Sequence, residues 1–323
     1  MGRPAPTPTR EALVLRQVLL QVARSTRVRD LVEATPVARG VVRRYVAGTQ
    51  PFDAVRACAD LVSTGRTATL GHLGEDTTDL ASARAVRDAY RQVLTALSDA
   101  GLTDGGRVEV SVKLSAVGQA LGADGEKIAL EHAHDICVAA AQSQTTVTLD
   151  MEDHTTTDAT LNVLRELRQD YPWVGAVLQS HLRRTEGDCA DLSGPGSRVR
   201  LCKGAYNEPV AVAFRGNDVD LSFVRCLKIL MAGGGYPMVA THDPRLIDLA
   251  GALAARHRRA PGSYEFQMLY GVRPVEQQRL ADLGETVRVY VPYGTEWYGY
   301  LVRRLAERPA NLAFFLRSMA SGR

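Results

Sequence analysis

From about residue 69 the chain alternates two hydrophobic periodicities. Short β-rich runs recur at TLGHLG (69–74), RVEVSVKL (107–114), TVTLDME (146–152), WVGAVLQ (173–179), VRLCKGA (199–205), YPMVATH (236–242), YEFQMLYG (264–271) and TVRVYVPY (286–293). Between them lie stretches such as LASARAVRDAYRQVLTAL and DATLNVLRELRQDY, with apolar residues at the three- and four-residue spacing of an amphipathic helix. Eight strands, each followed by a helix, predict an α/β protein with a (β/α)8 TIM-type barrel. An open doubly wound sheet, with one or two strands miscounted, is the competing arrangement. Residues 11–65 carry Val, Leu and Ala at helical intervals, broken by Gly40, Gly48 and Pro51, so extra helices precede the barrel. The expected division is a tail and packing helices over 1–66 and the barrel over 67–323.

Composition narrows the partners. With 323 residues and 45% hydrophobic content the chain can bury one large core. A net charge of +3 and a pI near 8.6 argue against nucleic-acid binding. No apolar run reaches membrane-spanning length. The N-terminal segment lacks the apolar region and cleavage site of a signal peptide, so a cytoplasmic location is expected. Cys58, Cys137, Cys189, Cys202 and Cys226 are far apart, without a CxxC, as expected of reduced thiols. His132 and His134 form an HxH on a helix-like stretch, where i, i+2 rings diverge by about 200°, so no metal site is expected. His154, His181 and His257 read as surface residues. The sequence contains no GxGxxG, P-loop, GxSxG or HExxH motif.

In such a barrel the chemistry gathers at the C-terminal ends of the strands. In order, those ends carry Glu75; Lys113; Asp150 and Glu152; Gln179; Lys203 and Tyr206; Thr241 and His242; Gln267 and Leu269; and Tyr290. Any one of them could be a barrel residue satisfied by its neighbours. Lys113 and Lys203 are harder to dismiss, because an unpaired ammonium at the end of an apolar strand is costly. Each requires an anionic partner, and Asp150 is a candidate for Lys203.

The segment RVYVPYGTEWYGYLVRRLAE reads as a strand, a tight turn and a helix. Tyr300, Arg303, Arg304 and Glu307 fall at i, i+3, i+4 and i+7 on one face of that helix. Alone, an Arg pair on a helix reads as a solvated face. Beside a strand bearing Tyr290 it reads as a double fork for a carboxylate or phosphate.

Taken together, these motifs resemble the monofunctional bacterial proline dehydrogenase family. The most specific pieces are RVRLCKGAY (198–206), YEFQMLYG (264–271) and RVYVPYGTEWYGYLVRRLAE (288–307). YVAGT (45–49), LGE (73–75), VSVKLSA (110–116), TLDME (148–152) and ATH (240–242) support them. The resemblance implies a barrel that binds FAD non-covalently and oxidises L-proline to Δ1-pyrroline-5-carboxylate by hydride transfer to flavin N5. It implies that Arg303, Arg304 and Lys113 bind the substrate carboxylate, and that Leu269, Tyr290 and Tyr300 pack on the pyrrolidine ring. It implies FAD contacts from Arg200, Lys203, Ala205, Gln179, Thr241, His242 and Gln267. Asp150 and Tyr206 would sit near flavin and substrate, Glu75 would ion-pair with the active-site arginines and help close the pocket, and Glu307 would orient an arginine.

The resemblance further implies a quinone acceptor, transient contact with the inner face of a membrane, and a separate pyrroline-5-carboxylate dehydrogenase for the next step. Asn207 after KGAY is a departure, because bifunctional relatives often carry Trp there. Three rivals keep parts of the pattern. One is a flavin dehydrogenase of another cyclic or N-alkyl amino acid. The others are a flavin-free lyase using Lys203 as a Schiff-base nucleophile and a non-catalytic carboxylate-binding module.

Overall fold

A computed structural model describes the backbone of residues 36–306 and the side chains of residues 42–302. The expected tail and helices of residues 1–35 lie outside the described residues. Two helices come first, α1 (Pro36–Tyr45) and α2 (Pro51–Val62). Gly48 lies between them, and Pro51 takes the first turn of α2, where its missing N–H costs no hydrogen bond.

The barrel then begins with β1 (Thr67–His72), α3 (Leu80–Asp99), β2 (Val108–Val112), α4 (Gly125–Gln142), β3 (Val147–Leu149) and α5 (Thr157–Asp170). It continues with β4 (Gly175–Gln179), α6 (Thr185–Asp191), β5 (Arg198–Cys202), α7 (Asn217–Ala232), β6 (Tyr236–Ala240) and α8 (Pro244–Arg256). It ends with β7 (Glu265–Leu269), α9 (Pro274–Asp282), β8 (Val287–Tyr293) and α10 (Trp297–Ala306).

The eight strands close in sequence order into one barrel, with β1 pairing in parallel to both β2 and β8. The expected barrel is therefore present and the open sheet is not. The last strand runs through Pro292 to Tyr293, the end of the 286–293 run read from the sequence. The carbonyl of Tyr293 accepts from Leu73 N at 2.7 Å, and that of Pro292 accepts from Ala47 N at 3.0 Å. The YVAGT segment thus clips the end of β8 to the N-terminal helices. No helix among the described residues is long and apolar enough to cross a membrane.

Alternate strand positions face opposite ways. One set, such as Val108, Val110 and Val112, is fully buried and belongs to the apolar core. The other set points into the barrel and is unusually polar. Arg198 of β5 reaches Glu109 of β2 at 2.6 Å. These strands are not neighbours, so the contact crosses the barrel interior. Glu109 also accepts from Thr69 at 2.9 Å, Thr146 at 2.5 Å and Thr148 at 3.2 Å. Glu265 of β7 pairs with Arg288 of β8 at 2.8 Å. Glu109, Arg198, Glu265 and Arg288 escape the sequence reading as a group, because they lie at the N-terminal side of their strands, away from the C-terminal end that singles out Lys113.

Burial alone would raise the Glu109 carboxyl, but Arg198, Arg288 and Arg200 outweigh it and hold the group well below the ordinary glutamate range. A depressed folded value stabilises the fold above the ordinary value of 4.5 and loses that contribution as pH falls below it. Glu109→Gln should therefore lower stability at pH 7 by about 3–5 kcal/mol. It should also flatten the loss of stability in acid. Chemical denaturation followed from pH 7 into the acid range measures both effects.

Candidate active site

The C-terminal ends of the strands surround a cavity of about 590 Å³, within the range of small-molecule and cofactor sites. Its floor is a hydrogen-bonded set contributed by five strands. Arg200 donates from Nη1 to Asp150 Oδ1 at 2.7 Å and to Ser111 Oγ at 3.0 Å, and from Nε to Gln267 Oε1 at 2.5 Å. Ser111 donates to the same Asp150 oxygen at 2.7 Å, and Tyr290 OH donates to Asp150 Oδ2 at 3.0 Å. Burial, then the charge of Asp150, push the Tyr290 phenol well above its ordinary value, so it remains a donor. The Arg200 guanidinium lies over the Tyr290 ring, 5.5 Å from its centre. Gly71 makes this possible: a Cβ there would sit 2.2 Å from the Tyr290 hydroxyl.

Lys113, one residue past β2, pairs with Glu75 in the β1–α3 loop. Next to them Glu152 is buried and accepts from Ser115 N at 3.0 Å and Ser115 Oγ at 2.6 Å. Desolvation raises its carboxyl despite those bonds.

The end of β4 is tied to the loop after β3 by side-chain hydrogen bonds. Gln179 donates to the carbonyls of Met151 at 2.9 Å and Glu152 at 3.0 Å, and its Oε1 accepts from His181 Nε2 at 2.8 Å. His181 is buried, not on the surface as expected, because this bond and the β5 loop enclose it. Gly204 has φ +95°, and a Cβ there would meet the His181 ring at 2.5 Å. The KGAY turn needs glycine to pass so close. His154 contacts buried Glu208, whereas His257 is exposed as expected. The rings of His132 and His134 have separate partners, the Val117 carbonyl and the Tyr171 ring.

Lys203 does not pair with Asp150, which is committed to Arg200 and Tyr290. Its ammonium lies 2.6 Å from Asp220 and 3.4 Å from Asp243. Asp243 also caps α8, accepting from Arg245 N at 3.1 Å. Side-chain hydrogen bonding from Arg245 is the main cause that brings its carboxyl down to about 2. Thr241 accepts from Asp243 N at 3.1 Å, and His242 Nε2 accepts from Leu269 N at 3.0 Å, which ties the ends of β6 and β7 together.

Glu75, Lys113, Asp150, Gln179, Arg200, Lys203, Ala205, Tyr206, Thr241, His242, Gln267, Leu269, Tyr290 and Tyr300 all line this one cavity. Tyr300 is buried in α10. Arg303 and Arg304 belong to the same helix, but their side chains lie outside the described residues, as does Glu307 entirely. Sequence reading missed His72, Asp243 and the apolar wall of Met151, Val177 and Met268. His72 sits at the end of β1, its ring edge-on to Tyr293 at 5.2 Å, and burial lowers its pKa. The list of strand ends passed over His72 in favour of Glu75, three residues further on.

A closed (β/α)8 barrel with one cavity of convergent charged and phenolic groups at its C-terminal face defines a barrel enzyme with a small-molecule site. The model of the proline dehydrogenase family matches residues 54–317, and the chain belongs to that family of oxidoreductases acting on proline. Proline dehydrogenase 1 of Bacillus subtilis subsp. natto is 38% identical over 307 residues, covering 95% of this chain and 99% of that one. Proline dehydrogenase of Deinococcus radiodurans is 38% identical over 310 residues, covering 95% and 98%. Among solved structures, proline utilization A of Bdellovibrio bacteriovorus, inactivated by N-propargylglycine, aligns with a TM-score of 0.77 at 25% identity. The alignment covers 88% of this chain and 34% of that longer one.

The tight approach at Gly71 makes a direct test of the floor. Gly71→Ala should displace the Tyr290 phenol from Asp150 and lower kcat/KM for proline by about 10- to 100-fold. Steady-state assays beside a thermal melt separate that effect from unfolding.

Proposed function

We propose that the chain oxidises L-proline to Δ1-pyrroline-5-carboxylate using non-covalently bound FAD, and passes the electrons to a quinone. One observation carries the reading. Arg200, its guanidinium held by Asp150, Ser111 and Gln267, lines the cavity together with Lys203, Thr241 and the apolar Met151, Val177 and Met268. A fixed cation, further polar groups and an apolar wall around one cavity suit a ligand that is part flat ring and part anion. A flavin offers ring carbonyls and nitrogens for donors at the cavity floor, hydroxyls for Gln179 and Thr241, and a diphosphate for a cation such as Lys203. The apolar wall of Met151, Val177 and Met268 suits the ring system, so the residues fit the group.

Arg200, Lys203, Ala205, Gln179, Thr241, His242 and Gln267 would hold FAD. When bound, FAD supplies the two-electron acceptor that no protein side chain can provide. The remaining roles belong to the chain itself. Arg303, Arg304 and Lys113 bind the proline carboxylate, since paired guanidinium forks match its two oxygens. Glu75 and Glu307 hold those cations in place. Tyr290, Tyr300 and Leu269 pack on the ring, exclude water and restrict it to one orientation. Asp150 and Tyr206 lie toward the reacting end. The amine proton is assigned to solvent.

The lyase alternative needs Lys203 as a free amine facing the cavity, whereas two carboxylates engage its ammonium. Three substitutions test the assignment. Arg303→Ala or Arg304→Ala should raise the proline KM by about 30-fold or more without changing flavin content. Lys203→Met should lower FAD retention with little change in proline KM. An unchanged proline KM in both arginine variants would remove the proposed carboxylate site.

A further inference from the structure

We propose that Glu265 is a positioning residue for the reaction, fixing the Arg200 guanidinium at the cavity floor through the side-chain amide of Gln267. This inference rests on the flavin-dependent proline oxidation proposed above.

Glu265 is fully buried and does not line the cavity. It lies one inward position below Gln267 on β7. Its carboxylate accepts from Arg288 Nε at 2.8 Å, from Tyr236 OH at 3.1 Å and from Gln267 Nε2. All three neighbours are donors. Arg288 in turn donates to the carbonyls of Ala68 at 2.9 Å and Gly106 at 3.1 Å, which anchors the set toward the N-terminal end of the barrel.

The Gln267 amide has two unlike ends. A carboxylate can only accept and a guanidinium can only donate. With Glu265 on one side, the amide must turn its NH2 that way and its oxygen toward Arg200 Nε, 2.5 Å distant. A flipped amide would oppose acceptor to acceptor and donor to donor, so Glu265 selects the orientation. Arg200 is then held at Nε by Gln267 and at Nη1 by Asp150 and Ser111. Two fixed nitrogens fix the plane of the guanidinium, and with it the way Arg200 lines the cavity.

The test exchanges the two groups. Glu265→Gln and Gln267→Glu are made singly and together. The double exchange conserves the charge of the pair and returns one amide and one carboxylate to it. Arg288 and Gln267 share one oxygen of Glu265, so an amide at 265 must turn its oxygen to Arg288 and Tyr236 to donate to the carboxylate at 267, which accepts from Arg200. Each single variant should lower kcat for proline by about tenfold or more, with KM changed less than about threefold, because the carboxylate-binding cations are untouched. The absorption spectrum of the oxidised flavin should shift in each single variant. The double variant should recover kcat to within about threefold of the unmodified enzyme and restore the spectrum.

Folded single variants with unchanged kcat and spectrum would overturn the proposal. So would a double variant that melts like the unmodified protein but keeps the low kcat. If the single variants fail to fold, the melting temperature decides. A double variant that folds like the unmodified protein supports the pairing, and one that does not overturns it. Melting temperatures of the flavin-free protein read the pairing on their own. A chain that neither binds FAD nor turns over proline would therefore refute the proposed function without obscuring this result.

Discussion

The constraint on which the rest of this structure depends is that charge placed inside a closed barrel must be paired. Arg198, Arg200 and Arg288 occupy the interior together with Glu109, Asp150 and Glu265. Desolvating any of these groups alone would cost several kcal/mol. The strands satisfy them by register. Parallel pairing sets Glu109 of β2 beside Thr69 of β1, and sets Gln267 of β7 beside Arg288 of β8. Contacts across the barrel, such as Arg198 to Glu109, then couple strands that share no backbone hydrogen bonds. Apolar interior layers could have closed the barrel equally well. Ionic layers also dictate which atom faces which.

That specification continues to the cavity floor. Arg200 belongs both to the interior network and to the lining of the cavity, so the packing of the core and the geometry of the site are linked at one guanidinium. Above the floor, the βα-loops are fastened by short-range devices. Asp243 caps α8 and meets Lys203, His242 ties two strand ends, and Gln179 holds two carbonyls and His181. Side chains held in this way lose little freedom when a ligand arrives, which is the physical basis of preorganised binding and catalysis.

Much of this was legible in the sequence. The alternation of β-rich and helical runs located all eight strands, because apolar outward positions such as Val108, Val110 and Val112 and the intervening amphipathic helices leave different periodicities. The rule that chemistry collects at strand C-termini brought the polar strand ends into one cavity. What escaped notice has a common cause. Glu109, Glu265 and Arg288 lie inside strands, where a charged residue was not weighed unless it fell near an end. Pairings that cross the barrel also leave no mark in the local sequence. Lys203 was matched to the acid of another strand, whereas its partners lie in α7 and just ahead of α8. His181 looked like a surface residue because nothing local announces that Gly204 packs against its ring.

The central claim is that this cavity joins a flavin to proline. An absorption spectrum of the purified protein, taken before and after anaerobic addition of L-proline, tests it most directly. The account predicts an oxidised flavin spectrum that bleaches as proline is added, with Δ1-pyrroline-5-carboxylate formed in proportion. A flavin spectrum that proline leaves unchanged would contradict the substrate, and a protein that stays colourless after added FAD would contradict the account as a whole.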